Sequence, residues 1–190
     1  NIIPNKKVVP SGKIVGIVMK TEGVLVLGTG SVKDINGNSM KPADGLLKTG
    51  DVIIRCNSNF VSEKEDLKNA IDAAHGDSIS LTVKRNDEET QVNIQPAKNE
   101  NNEYKIGVWI RDSTQGLGTV TYIDPESGAY AALGHGVYDV DTNMLTPVSD
   151  GILTEAEIYG IKKGEKGTPG EVTGRLAKSQ NLGTVENNTD

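Results

Sequence analysis

One stretch of this chain, Ser62 to about Ala74, carries a clear helical apolar face; nearly every other apolar run is short, β-branched and bounded by glycine. Leu67, Ala70, Ile71 and Ala74 recur at the spacing of one helix side. Ser62 with Glu65 fits a capping box at the start, and Gly76 predicts a left-handed cap at the end. His75 reads as a last-turn residue favoured by the helix dipole. Strands are predicted at residues 13–19, 23–27, 52–54, 79–83 and 92–94. Asn36-Gly37 and Asn86-Asp87-Glu88-Glu89 are turn signals. With 22 glycines and only 4% aromatic residues, a mainly β fold with a minor α component is expected, its core built from Val, Ile, Leu and Ala.

Residues 96–103 are polar, as a linker or a long hairpin loop would be, and set an expected domain boundary near 98–103. The expected domains are residues 8–98 and 104–190. Charge divides at the same place: residues 1–98 carry a net +1 and residues 99–190 a net −7, within a total of −6. No basic stripe is present, so nucleic acid is not an expected partner; an acidic surface serves solubility first. Cys56, the only cysteine, follows the apolar run 52–54 and reads as an inert core thiol. A lone cysteine excludes an internal disulfide, a dithiol redox centre and a cysteine-rich zinc site. No apolar run is long enough to cross a bilayer, and no signal peptide is read. The first residue is Asn1, as in a processed fragment, which leaves room for a membrane anchor outside these residues.

In the second half, strands are predicted at 105–110, 118–123 and 128–133. Residues 152–158 alternate as a strand, and a short helix starting at Thr154 fits nearly as well. Residues 177–190 are polar and read as a frayed tail. Gly134-His135-Gly136 is the candidate chemical centre. An imidazole between two glycines has little steric cover, which suits a proton-transfer base or a metal ligand. Asp139 and Asp141 lie close to it in sequence, as a polar turn or as a candidate acid partner. A zinc site with either aspartate would have only His75 as a second nitrogen ligand; no metal and no cofactor are expected.

Pro10-Ser11-Gly12-Lys13-Ile14-Val15-Gly16-Ile17 resembles the loop and strand with which PDZ domains hold a peptide carboxylate. Ala43-Asp44-Gly45-Leu46-Leu47-Lys48-Thr49-Gly50-Asp51-Val52-Ile53 resembles the second signature of that family, and the 62–74 helix follows at the right distance. The resemblance implies a PDZ β-barrel-like domain that binds an extended peptide by strand addition. Val15, Gly16, Ile17 and Val18 would supply the edge, and Leu67 and Ile71 the pocket; ordinary core packing explains the same apolar residues.

Four further segments are similar to a narrow family. They are Gly107-Val108-Trp109-Ile110-Arg111-Asp112, Gly116-Leu117-Gly118-Thr119-Val120-Thr121-Tyr122, Ala131-Ala132-Leu133-Gly134-His135-Gly136-Val137-Tyr138-Asp139 and Lys162-Lys163-Gly164-Glu165-Lys166-Gly167-Thr168-Pro169-Gly170-Glu171. Together they resemble the stage IV sporulation protein B peptidase of endospore-forming bacteria, in which a PDZ domain precedes a chymotrypsin-like serine peptidase domain. The resemblance implies that residues 104–190 form the N-terminal part of that β-barrel, with His135 as general base. It implies a regulatory endopeptidase, secreted from the forespore into the space between its two membranes. Its partners would be itself and a membrane-bound regulator of an intramembrane protease, whose cleavage activates a late sigma factor; the PDZ domain would govern self-cleavage and substrate binding, and the unpaired strand edges of an incomplete barrel would invite a homo-oligomer. The family's serine lies in a downstream Ser-Gly-Ser-Pro-like segment. None occurs before Asp190, and Ser113, Ser127, Ser149 and Ser179 have other contexts, so the 190 residues are expected to be inactive alone. The competing reading is a non-catalytic PDZ scaffold.

Overall fold

The computed structural model describes residues 6–132, 136–139, 141–143, 145–146 and 150–189. It is mostly β, with one helix among the described residues, Lys64–Ala73. Its sheets are open and do not close into a barrel. Two compact units are present, and each draws on separated pieces of chain. The larger takes Lys20–Thr114 and Tyr138–Ser149; the smaller takes Asn1–Met19, Gln115–Val137 and Asp150–Asp190.

The larger unit is built on antiparallel pairing. Val24 and Leu25 pair with Ile53 and Val52. The strand Val52–Cys56 pairs with Ile79–Arg85, which forms a hairpin with Glu88–Ile94. Asn86 and Asp87 both adopt positive φ, 51° and 64°, at the hairpin tip, the conformation a two-residue hairpin turn requires. Ile79, Leu81 and Val83 alternate inward and are fully buried, joining Val24, Val26, Ile53, Leu67 and Ile71 in one core. Asp51 is buried beside that core and anchors its own turn. Its carboxylate accepts the Lys48 N–H at 2.8 Å and the Arg85 Nε and Nη2 at 2.7 and 2.6 Å. This pairing raises the Arg85 guanidinium above its ordinary value. Cys56 is buried, and burial pushes its thiol up, away from the reactive thiolate.

The helix begins one residue later than expected, with Glu63 as N-cap. Asp66, not Glu65, closes the first turn: its carboxylate accepts the Ser62 and Glu63 N–H groups at 2.9 and 3.0 Å. Those bonds hold the Asp66 carboxyl below its ordinary value. At the other end His75 as well as Gly76 takes positive φ. The polar segment after residue 96 is a hairpin loop: Ala97–Lys98 pairs with Tyr104–Lys105, and Asn99 Oδ1 accepts the Asn101 and Glu103 N–H groups.

Strands are longer than glycine punctuation suggests. Residues 13–19 and 23–27 belong to one strand, Ile14–Thr29, and residues 108–119 form another. Thr21 Oγ1 donates to the Gly23 carbonyl at 2.5 Å, so the expected break at 21–23 is absorbed within the strand.

In the smaller unit Asp150–Lys162 pairs with Glu171–Thr184 through several irregularities. The first strand excludes a helix from Thr154, and the second makes residues 177–184 part of a hairpin where a frayed tail was expected. Polar composition hid this strand because such a hairpin needs few buried side chains. Val9–Pro10, Tyr122–Ile123 and Tyr130–Ala131 form a small three-stranded sheet. The turn between its last two strands is locked by the buried Asp124, which accepts Ser127 Oγ, the Glu126 N–H at 3.0 Å and Lys6 Nζ at 2.8 Å.

Candidate functional site

The apolar helix face sits over a cleft in the larger unit. Leu67 and Ile71 are 1% and 7% exposed and line a space of about 640 Å³ together with Gly30–Lys33 residues and with Ile106, Gly107, Val108, Trp109 and Ile110. Val108 and Ile110 pack against the same core that Leu67 and Ile71 join. Alternation turns those two side chains toward the core and leaves Trp109, 65% exposed, outside it, its ring beside Gly28 and Gly30 at the rim of the cleft.

The strand Val108–Thr119 pairs with Ile14–Thr29 and has no second strand partner among the described residues. Its start is fixed by Gly107. That residue has φ +69°, and a Cβ there would stand 2.5 Å from the Gly30 carbonyl oxygen; only glycine fits without a shift. The Gly107 carbonyl accepts the Gly30 N–H at 2.8 Å. At the other end, Asp112 Oδ2 accepts the Lys64 N–H at 3.0 Å. A carboxylate at the helix N-terminus meets the positive end of its dipole. Tyr104 reaches the opposite end, its ring packed where Gly76 has no side chain. The segment 104–112 therefore runs the length of the helix, with an unpaired strand edge and an apolar floor.

Val15, Gly16, Ile17 and Val18 lie elsewhere, in the smaller unit, whereas Leu67 and Ile71 belong to the larger. Val15 is buried with Val120 and Leu153, and Ile17 packs on that cluster. A Cβ on Gly16 would meet Leu176 at 2.6 Å and Thr154 at 3.0 Å, and the Val18 carbonyl lies 3.4 Å from a Cβ placed on Gly151. The hairpin strand Asp150–Lys162 pairs with Ile14–Thr29 and covers these residues. The wall across the cleft from Leu67 and Ile71 is instead Ile106–Gly107–Val108. The sequence carried a signal for it: Lys105-Ile106-Gly107-Val108 repeats the apolar-Gly-apolar pattern of Val15-Gly16-Ile17.

His135 lies outside the described residues. Asp139, four positions later, is 1% exposed. Its Oδ1 accepts the Asp141 and Thr142 N–H groups and the Thr142 hydroxyl, at 3.0, 2.9 and 3.1 Å. Its Oδ2 accepts Arg111 Nη1, while Arg111 Nη2 donates to Asp141. Burial raises the Asp139 carboxyl, but bonds from Thr142 and Arg111 outweigh it and hold the group below its ordinary value. Both oxygens are thus committed to a turn and an arginine, the work of a structural anchor. Arg111 was not foreseen, because nothing in sequence links it to residues 28 and 30 positions away. Among the described residues no group of three or more His, Cys, Asp or Glu is arranged to hold a metal.

A helix facing a strand edge across an apolar cleft is the arrangement with which strand-addition modules hold extended peptides. Residues 15–95 match the PDZ domain model and residues 102–190 match the SpoIVB peptidase S55 model. The chain carries a PDZ domain followed by a SpoIVB peptidase S55 region. Two solved structures are similar. The PDZ domain of an SdrC-like protein from Listeria monocytogenes is 26% identical, with a TM-score of 0.38, over 47% of this chain and 87% of that one. That of an SdrC-like protein from Listeria innocua is 23% identical, with a TM-score of 0.38, over 47% of this chain and 93% of that one. Comparison with curated proteins returns no match.

Proposed function

We propose that this chain is part of a regulatory serine endopeptidase of endospore formation, whose PDZ domain binds extended protein segments between the helix Lys64–Ala73 and the strand edge at Val108–Ile110. The observation that carries the peptide-binding part is the cleft itself: an apolar floor of Leu67, Ile71 and Ile106 beside a strand edge that has no second strand partner among the described residues. The peptidase part rests on the S55 match over residues 102–190. In this reading His135 takes the proton of an attacking serine hydroxyl and returns it to the leaving amine, the two transfers a general base of a serine peptidase makes. The groove then governs self-cleavage and the engagement of a membrane-bound regulator of an intramembrane protease. The enzyme acts between the two membranes of the developing spore, and its signal leads to a late sigma factor.

The test is cleavage. In any form of the protein that cuts casein or itself, His135→Ala is expected to lower the rate at least about 10³-fold, the scale on which a triad base matters. Cleavage retained in that variant would remove His135 from the mechanism.

A further inference from the structure

Two side chains, both distant in sequence, grip the segment that follows His135. Arg111 stands next to Ile110 on the cleft strand, and its guanidinium donates to Asp139 through Nη1 and to Asp141 through Nη2. Asp139 in turn accepts the Asp141 and Thr142 N–H groups, so the arginine clamps the whole turn 139–142. Two residues before Asp139, the Asn188 side-chain amide takes both backbone groups of Val137. Its Oδ1 accepts the Val137 N–H at 2.8 Å, and its Nδ2 donates to the Val137 carbonyl at 2.9 Å. The Arg111 bonds lie within the larger unit and the Asn188 bonds within the smaller.

The Arg111 side chain is 28% exposed and that of Asp139 is 1% exposed. Removing the guanidinium would leave a buried carboxylate unpaired, which a fold relieves by rearranging around it. His135 lies between Gly134 and Gly136, which have no side chains to pack and a permissive backbone. Its placement therefore depends on what holds the neighbouring chain. A base works only within hydrogen-bond reach of the proton it takes. Resting on the reading of His135 as general base, we infer that Arg111 and Asn188 are positioning residues for it, acting through the backbone of residues 137–142.

In any form of the protein that cuts casein or itself, Arg111→Met is expected to lower kcat about 10²-fold, the scale of a misplaced catalytic group, with KM within about twofold of wild type. Arg111→Lys keeps the charge but not the two-pronged fork, and should recover about tenfold of that loss. Asn188→Ala should lower kcat about tenfold, again without moving KM. Circular dichroism at the assay temperature establishes that each variant is folded; where Arg111→Met is not, Arg111→Lys carries the test of Arg111. Wild-type kcat in a folded variant, a loss that falls on KM alone, or no recovery in Arg111→Lys would overturn the positioning role of the residue concerned. His135→Ala run beside them separates the two claims. If it cuts at the wild-type rate, the general-base reading fails; if it alone is slow, that reading stands and the positioning roles are lost.

Discussion

Among the described residues, fifteen buried apolar residues of the larger unit form one core around Val24, Ile53, Leu67 and Leu81, whereas in the smaller unit the cluster of buried apolar residues is Val15, Val120 and Leu153. The first unit holds its shape by removing apolar surface from water. The second relies on strand pairing and on polar locks such as Asp124 with Lys6, Ser127 and the Glu126 N–H. The difference bears on function. A binding groove needs walls that do not move, and Leu67, Ile71, Val108 and Ile110 are set in the larger core.

The largest expected effect separates the two kinds of support. Leu81→Ala removes a fully buried side chain and is expected to destabilise by about 3–5 kcal/mol, while Leu153→Ala, in the small cluster, should cost about 2 kcal/mol or less. Urea unfolding followed by Trp109 fluorescence and by backbone NMR signals of Tyr130 measures both. Equal losses at the two positions would break the comparison.

A smaller effect sharpens it. The Asp124 carboxyl is held well below its ordinary value by the bond with Lys6, then by Ser127 and the Glu126 N–H. A carboxyl depressed on folding stabilises the fold fully above its unfolded value near 4, and that contribution is lost as pH falls below it. The free energy of unfolding, read from the NMR signals of residues 122–131 in urea, should therefore fall as pH drops from about 4 to 2 in the wild type, and Asp124→Asn should be destabilised already at pH 7 and show less of that fall. An Asn variant with the wild-type stability and the wild-type fall in acid would contradict this lock.

Much of the larger unit was legible in the sequence because its signals are local. The apolar positions 67 and 71, the turn at Asn86-Asp87 and the alternation of Ile79, Leu81 and Val83 all follow from periodicity or turn chemistry. The cap moved by one residue because Asp66 satisfies two N–H groups at once, which spacing alone does not reveal. Long strands were hidden by internal glycines at 23, 116 and 118, which read as breaks. The polar strand Glu171–Thr184 had no alternation to find. At the candidate site, the buried helix face of Leu67 and Ile71 was readable. The strand half was not, since two segments, around Gly16 and around Gly107, carry the same local pattern and only tertiary packing separates them. The bond between Arg111 and Asp139 is likewise a product of the fold.

The choice between those two segments is the central claim, and amide hydrogen exchange with and without an amidated ten-residue peptide bearing a central valine tests it most directly. Binding across the cleft should slow exchange at backbone N–H groups of residues 107–111 and leave residues 15–18 unchanged. Slowed exchange at residues 15–18, with 107–111 unaffected, would put the ligand on the other strand and contradict it.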